Sequence, residues 1–139
     1  MIPGRLLSGE RGEAAMRILL VDDNALVAHA TMGVLTAAGH RPDWVATAEA
    51  ALLRHQPGVW DFVLTDLRLP GIDGWAFIAR LREREPRLPV GVITGWPPLP
   101  GEPGPLERGA RFLLVKPVDP VELVKEIARV SEPRVIAGP

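Results

Sequence analysis

Short apolar runs, separated by segments with helical periodicity, are the feature that most limits how this chain can fold. Four of the runs stop on polar residues, namely Asp22 with Asp23, Asp66, Thr94 and Lys116. Continuous apolar runs of this length are typical of parallel strands that are buried on both faces. The carboxyl ends of parallel strands lie along one edge of an open sheet, where such folds place their sites. The sequence therefore predicts one pocket that holds three carboxylates, a hydroxyl and an ammonium.

The alternation of strands and helices predicts an α/β fold with a doubly wound parallel sheet. Five strands are predicted, at residues 17–21, 42–46, 62–65, 89–93 and 111–115, and the second is an edge strand because Pro42 is tolerated there. Asn24 and Thr47 are predicted to cap the first two helices. A third helix is predicted from about residue 75 to 84, and a last one opens at Asp119. The first helix is expected to turn these apolar side chains inward: Leu26, Val27, Ala30, Val34 and Leu35.

The connection between strands four and five departs from this alternation. Five prolines fall between Pro97 and Pro105. Each proline inside a helix removes a donor and clashes with the preceding turn, at a cost of about 3 kcal/mol. We therefore expect the fourth helix of the fold, which would cross here, to be absent or replaced by a proline-rich loop. At most one turn is expected, at residues 106–108.

The chain has 139 residues, 47% of them hydrophobic, and this length and composition predict one globular domain. Residues 1–15 are predicted to be a flexible leader, 16–130 the folded domain, and 131–139 a flexible tail too short for an output domain. The net charge of −1 argues against nucleic-acid binding, and the absence of cysteine excludes disulfides and thiolate metal sites. No apolar stretch approaches the roughly 20 residues that cross a bilayer. We expect a cytoplasmic protein without a membrane or nucleic-acid partner.

Three carboxylates at one edge of a sheet repel one another, and a bound divalent cation is the simplest way to neutralise their charge. Mg²⁺ prefers carboxylate oxygens and pairs with phosphate. Asp23 and Asp66 are therefore candidate direct ligands, and Asp22 binds directly or through water. The three histidines show no spacing to a carboxylate or metal partner: His29, His40 and His55.

The same edge carries the groups that phosphoryl transfer needs. Asp66 lies on the middle strand and is the candidate nucleophile, because a carboxylate can form an aspartyl phosphate. Thr94 and Lys116 offer a hydroxyl and an ammonium to the other phosphoryl oxygens. Gly95 leaves room for the phosphoryl group to approach. Taken singly, each of these residues is as readily explained as a helix cap, a turn or a strand end.

As a set, these residues resemble the receiver domain of bacterial two-component response regulators, the CheY-like family, over residues 17–130. The resemblance implies a flavodoxin-like sheet of order 2-1-3-4-5 and a Mg²⁺ cofactor held by the three aspartates and the backbone carbonyl of Arg68. It also implies phosphotransfer to Asp66 from a histidine kinase or a histidine phosphotransfer protein. A cis peptide before Pro117 would aim Lys116 into the pocket.

This chain departs from the family pattern at the residue that usually carries a switch aromatic. Three residues before Lys116 stands Leu113, and the neighbouring Phe112 falls on the opposite face of the strand. Together with the sequence of residues 94–96 and the missing helix, this resembles a divergent receiver subset with a Thr-Gly-aromatic motif. Arg68 and Trp96 are expected to shield the acyl phosphate from water; the alternative is a solvated arginine and a tryptophan that covers exposed core. The candidate modulating residues are Arg68, Gly95, Trp96, Leu113 and Pro117.

The sequence is best interpreted as a single-domain response regulator that signals through protein contacts or a phosphorelay. It is expected to be a phosphoacceptor that assists its own phosphorylation and dephosphorylation, and not an enzyme. Its expected partners are the phosphodonor and a downstream protein target, with a weak homodimer as a further candidate. One alternative is a pseudo-receiver, a phosphorylation-independent interaction module. A phosphoaspartate hydrolase of the haloacid dehalogenase type is disfavoured, because no Asp-x-Asp follows a strand.

Overall fold

Five parallel strands form one sheet, in a computed structural model that describes residues 15–131. Their order is β2-β1-β3-β4-β5, which confirms the predicted doubly wound, flavodoxin-like topology. The strands are β1 (Arg17–Val21), β2 (Arg41–Val45), β3 (Phe62–Thr65), β4 (Val90–Thr94) and β5 (Phe112–Val115). Apart from residues 15 and 131, the predicted leader and tail lie outside the described residues, so both stay predictions.

Four α-helices connect and flank the strands: α1 (Ala25–Ala37), α2 (Ala48–Arg54), α3 (Gly74–Arg84) and α4 (Pro120–Ser131). Two of them begin after the caps that the sequence predicts. Asn24 and Thr47 accept hydrogen bonds from Val27 and Ala50, and Asp73 caps α3 in the same way. No helix within residues 15–131 is both long and apolar enough to cross a membrane.

The sheet is buried on both faces, and the side chains of each strand divide between two cores. In β1, Leu19 and Val21 pack under α2 and α3, whereas Ile18 and Leu20 pack under α1 and α4. All four are fully buried. Because every central strand is covered on both sides, its polar residues can appear only where the strand ends, and this places the site at the carboxyl edge.

The expected inward face of α1 is wrong in part. Leu35 is buried as expected, but Leu26 is 84% exposed, and the helix also buries Ala28 and Thr31, which were not expected to face inward. The helix is apolar on nearly every side, so periodicity alone does not determine which side meets the sheet.

The expectation that His55 lacks a carboxylate partner is also wrong. Its Nε2 lies 2.9 Å from Glu85 Oε1, a contact between the ends of α2 and α3. The two residues are 30 positions apart in sequence, so the local spacing of residues around His55 carries no sign of this contact.

No crossover helix joins β4 to β5, as the prolines predict. The connection contains a single 3₁₀ turn at Leu106–Arg108, and Gly109 ends it in a left-handed conformation with φ of 97°. This connection is called the proline-rich segment below and comprises residues 95–110. It leaves the sheet face beside α3 covered by loop and not by helix.

Candidate functional site

Asp22, Asp66 and Lys116 meet at the carboxyl edge of the sheet, at the ends of β1, β3 and β5. The Nζ atom of Lys116 donates to Asp66 Oδ2 at 2.7 Å and to Asp22 Oδ2 at 3.0 Å. Both carboxylates are buried, and the lysine side chain is 19% exposed. An ammonium shared between two buried carboxylates offsets their mutual repulsion and holds both in place. Asp23, beside them, is exposed.

Backbone contacts fix the loop that carries the acid pair. Asp22 Oδ1 accepts a hydrogen bond from the N–H of Asn24 at 2.9 Å, and Asn24 caps α1. The indole Nε1 of Trp44, on the edge strand β2, donates to the backbone carbonyl of Asp22 at 2.7 Å. Trp44 was not among the predicted site residues, because a hydrogen bond from a tryptophan 22 residues away has no signature in sequence spacing.

A tight turn holds Asp66 at the end of β3. Its Oδ1 accepts from the N–H of Arg68 at 3.1 Å. The first residue of α3, Gly74, donates its N–H to the Leu67 carbonyl at 2.9 Å. A Cβ on Gly74 would lie 2.6 Å from the carbonyl oxygen of Asp66 and 2.6 Å from the Cα of Leu67. The close approach of α3 to this turn therefore requires glycine at position 74, which sequence reasoning also missed.

Thr94 ends β4 with its side chain fully buried. Its Oγ1 accepts a hydrogen bond from the N–H of Trp96 at 3.2 Å, which leaves the hydroxyl proton free to donate to another oxygen. A Cβ on the intervening Gly95 would meet nothing within 4 Å, so the backbone there is open to an incoming group.

Lys116 is anchored by its own backbone as well as by its side chain. The N–H of Lys116 donates to the Thr94 carbonyl at 2.7 Å, and the Lys116–Pro117 peptide is cis, as expected. Burial of the ammonium by itself lowers the pKa of Lys116. The hydrogen bonds and negative charges of Asp66 and Asp22 outweigh that effect and raise the pKa above its ordinary value. Lys116 is therefore a permanent cation at neutral pH.

The modulating candidates lie on one side of this pocket. The guanidinium carbon of Arg68 lies 4.0 Å from the centre of the Trp96 ring, a cation–π contact, and Trp96 is 59% exposed. Leu113 packs against the core under α2 and α3, whereas Phe112 faces the opposite core and stacks on Phe62. The structure thus places no aromatic ring at the usual switch position, as the sequence indicates.

The donor set suits a hard divalent cation. Oxygens of Asp22, Asp23 and Asp66 lie within 4.8 Å of one another. Each carboxylate has about four lone-pair positions, so the hydrogen bonds of Asp22 and Asp66 leave acceptor capacity for a metal. Carboxylate oxygens with room for water are the arrangement that Mg²⁺ prefers.

The chain belongs to the response-regulator receiver-domain family, because residues 18–128 match the sequence profile described as "Response regulator receiver domain". It is 37% identical over 112 residues to the transcriptional activator protein IrlR of Burkholderia pseudomallei, a match that covers 81% of this chain and 48% of IrlR. It is 32% identical over 115 residues to the response regulator protein FleR of Pseudomonas aeruginosa, covering 83% of this chain and 24% of FleR. The chain thus spans half or less of these relatives.

Solved receiver structures agree with the fold. The non-phosphorylated HemR receiver domain from Leptospira biflexa has a TM-score of 0.77 and 26% identity, with 88% of this chain and 98% of that chain covered. The receiver domain of the sensor histidine kinase PA1611 from Pseudomonas aeruginosa has a TM-score of 0.72 and 29% identity, covering 84% and 97%. That structure has a magnesium ion coordinated in its active-site cleft.

Proposed function

We propose that this receiver accepts a phosphoryl group on Asp66 from a phosphohistidine of a histidine kinase or a histidine phosphotransfer protein. The observation that carries the proposal is the placement of Lys116 between two buried carboxylates, at 2.7 Å from Asp66 and 3.0 Å from Asp22. An ammonium held at this point can stabilise phosphoryl charge next to the nucleophile. The proposal includes a cytoplasmic location, where ATP-dependent kinases operate.

In the proposed reaction, a carboxylate oxygen of Asp66 forms a bond to phosphorus while the phosphorus–nitrogen bond of the donor breaks. The imidazole leaves with the electron pair of that bond. Lys116 bears the positive charge that the arriving phosphoryl oxygens need, and the buried hydroxyl of Thr94 has its proton free to donate to one of them. The N–H of Arg68 holds the second oxygen of the Asp66 carboxylate. Oxygen ligands from Asp22, Asp23 and Asp66, with the carbonyl of Arg68, would hold a Mg²⁺ ion, which would neutralise charge on the phosphoryl group.

The receiver is thereby a phosphoacceptor that assists its own phosphorylation, and a downstream protein reads its state. Small phosphodonors test the chemistry without a kinase. The chain is incubated with acetyl phosphate and Mg²⁺, and intact mass spectrometry detects the phosphorylated protein. We expect a phosphoryl adduct in the natural chain and none in Asp66→Asn, because the amide is a poor nucleophile.

Asp73→Asn is the matched control, seven residues away in the same loop region. Asp73 caps α3 through its Oδ1, and asparagine caps helices as well as aspartate does. The control should therefore gain the adduct as the natural chain does. If the natural chain gains no adduct with or without Mg²⁺, the pseudo-receiver alternative replaces this proposal.

A further inference from the structure

A groove lies between α3 and the proline-rich segment that connects β4 to β5. Its cavity volume is about 410 Å³. Prolines of the proline-rich segment form part of its wall, together with the side chains of Leu67, Arg68, Trp75, Trp96, Arg108 and Leu113. These residues are called the α3 groove. A volume of this size accommodates one or two bulky side chains of another molecule.

The apolar surface of the α3 groove, which Leu99 also lines, continues beyond the groove at Leu106. Leu99 is 68% exposed and Leu106 is 72% exposed, and both lie in the same proline-rich segment as the half-exposed Trp96. Contiguous exposed apolar surface of this kind marks protein interaction sites. A small molecule that filled only the groove would leave Leu106 in water, so the surface suits a larger, protein partner.

Two cations lie at the groove, each stacked on a tryptophan. Arg68 lies 4.0 Å over the Trp96 ring, and Arg108 lies 4.4 Å over the Trp75 ring. Within residues 15–131, neither guanidinium has a carboxylate within 4.0 Å. Glu102 also lines the groove, where its Oε1 accepts from the N–H of Leu99 at 2.7 Å, and the two arginines outnumber this one carboxylate. Two positioned arginines beside apolar walls therefore select for negative charge in whatever binds.

We propose that the α3 groove binds a segment of a partner protein that carries a bulky apolar side chain flanked by acidic residues. The apolar side chain inserts between Trp75 and Trp96, and the acidic residues pair with Arg68 and Arg108. This deepens the proposed function and rests on it, since it names the surface by which a downstream target reads the receiver.

The α3 groove is also coupled to the phosphorylation site. Arg68 and Thr94 both line it, and the N–H of Arg68 holds Asp66. Movement of Arg68 or Thr94 toward a phosphoryl group on Asp66 therefore changes the shape of the groove. Suppose that phosphorylation changes the affinity of the groove for a partner by some factor. By thermodynamic linkage, binding of that partner then changes the equilibrium constant of phosphorylation by the same factor.

A random peptide library displayed on phage tests this proposal, with the full chain immobilised as the target. We expect enrichment of peptides that combine Trp, Phe or Leu with neighbouring Asp or Glu. An enriched peptide is then synthesised with a fluorescent label, and its affinity is measured by anisotropy. Arg108→Glu should weaken binding on the order of tenfold, because it reverses one positioned charge. Trp96→Ala should weaken it as well.

Arg41→Glu is the matched control, because Arg41 is an exposed arginine at the start of the opposite edge strand. It should leave the affinity unchanged. Thermal unfolding checks that each variant is folded, and the acetyl phosphate assay should give the same adduct in Arg108→Glu as in the natural chain. The enriched peptide should also bind Asp66→Asn. The peptide assay therefore tests the groove proposal independently of the proposed phosphorylation of Asp66.

The absence of enrichment, enrichment of basic or uncharged peptides, or equal binding to Arg108→Glu would each overturn the proposal. So would a concentration-dependent dimer that Arg108→Glu abolishes, because the occupant would then be a second copy of this chain.

Discussion

The acid pocket and the proline-rich segment lie side by side at the same edge of the sheet, but they are built differently. In the pocket, Asp22, Asp66 and Thr94 are buried, and each lies at the carboxyl end of a strand that is covered on both faces. In the segment, Trp96 and Leu99 are more than half exposed, and the prolines cannot donate backbone hydrogen bonds. The chemistry therefore lies on rigid elements, whereas the neighbouring surface is free to differ from one receiver to another.

Replacing Lys116 by Met should have the largest effect, because it removes the cation on which the pocket is built. We expect the rate of phosphorylation by acetyl phosphate to fall on the order of a hundredfold, the usual loss when one positioned charge donor is deleted. The same variant should bind Mg²⁺ more tightly in calorimetry, because the metal no longer competes with an ammonium for Asp22 and Asp66. Weaker Mg²⁺ binding would contradict this account of the pocket.

The pH dependence of stability, compared between the natural chain and Lys116→Met, gives a second test of the role of Lys116. Because folding raises the pKa of Lys116, its contribution to stability is complete below the ordinary lysine pKa of 10.5 and is lost as pH rises through the higher folded value. The free energy of unfolding, measured in urea, should therefore fall more steeply with pH in the strongly alkaline range for the natural chain than for Lys116→Met. Parallel curves would show that folding does not raise the pKa of Lys116.

The strands of the pocket were predictable because their cause is local. β1 and β3 occupy residues 17–21 and 62–65, as the apolar runs predict, and a charged residue ends each run. The missing crossover helix was equally predictable, since proline excludes helix whatever surrounds it. In both cases the chain itself decides the local conformation.

Contacts between distant segments were not predictable. The hydrogen bond from Trp44 to Asp22, the stacking of Arg68 on Trp96, and the inward face of α1 all depend on how separate elements pack. The identity of a residue tells what it can contact, but not which of several apolar or cationic candidates will lie near it. The receiver pattern supplied the pocket residues and also named Arg68, Trp96 and Leu113, but it did not predict that these three residues line a groove.

A pair of glycine substitutions sharpens the contrast between rigid and open backbone. Gly74→Ala would place a Cβ 2.6 Å from backbone atoms of Asp66 and Leu67 and should destabilise the fold by about 1–3 kcal/mol. Gly33→Ala, in the middle of α1, would meet nothing within 4 Å and should stabilise it by about 0.5–1 kcal/mol. Urea unfolding measures both. A neutral Gly74→Ala would mean that the turn after Asp66 is not tightly held.

Variants of the two arginine–tryptophan pairs test whether the proline-rich segment affects hydrolysis of the acyl phosphate. Arg68 and Trp96 are expected to keep water from the acyl phosphate, so Arg68→Asn and Trp96→Ala should each speed its hydrolysis a fewfold. Arg108→Asn is the control, because it removes the same kind of stack from Trp75 without touching the turn after Asp66. The decay of the phosphorylated protein is followed by intact mass. Unchanged decay in both variants, or equal acceleration in the control, would contradict the shielding role.

The smallest effect is expected in the mobility of the proline-rich segment itself. Beryllofluoride mimics the phosphoryl group, and drawing Thr94 and Gly95 toward it should restrict the chain that follows. The change should be slight, because prolines leave little conformational freedom to lose, and Leu99 and Gly104 already donate to Glu102 and Glu107. Amide exchange over residues 96–108, with and without beryllofluoride, measures it, and Thr94→Val is the control that should remove the difference. If amide exchange in the natural chain is the same with and without beryllofluoride, phosphorylation of the pocket does not change the mobility of the segment. A downstream partner would then have to recognise the phosphorylated state at another surface.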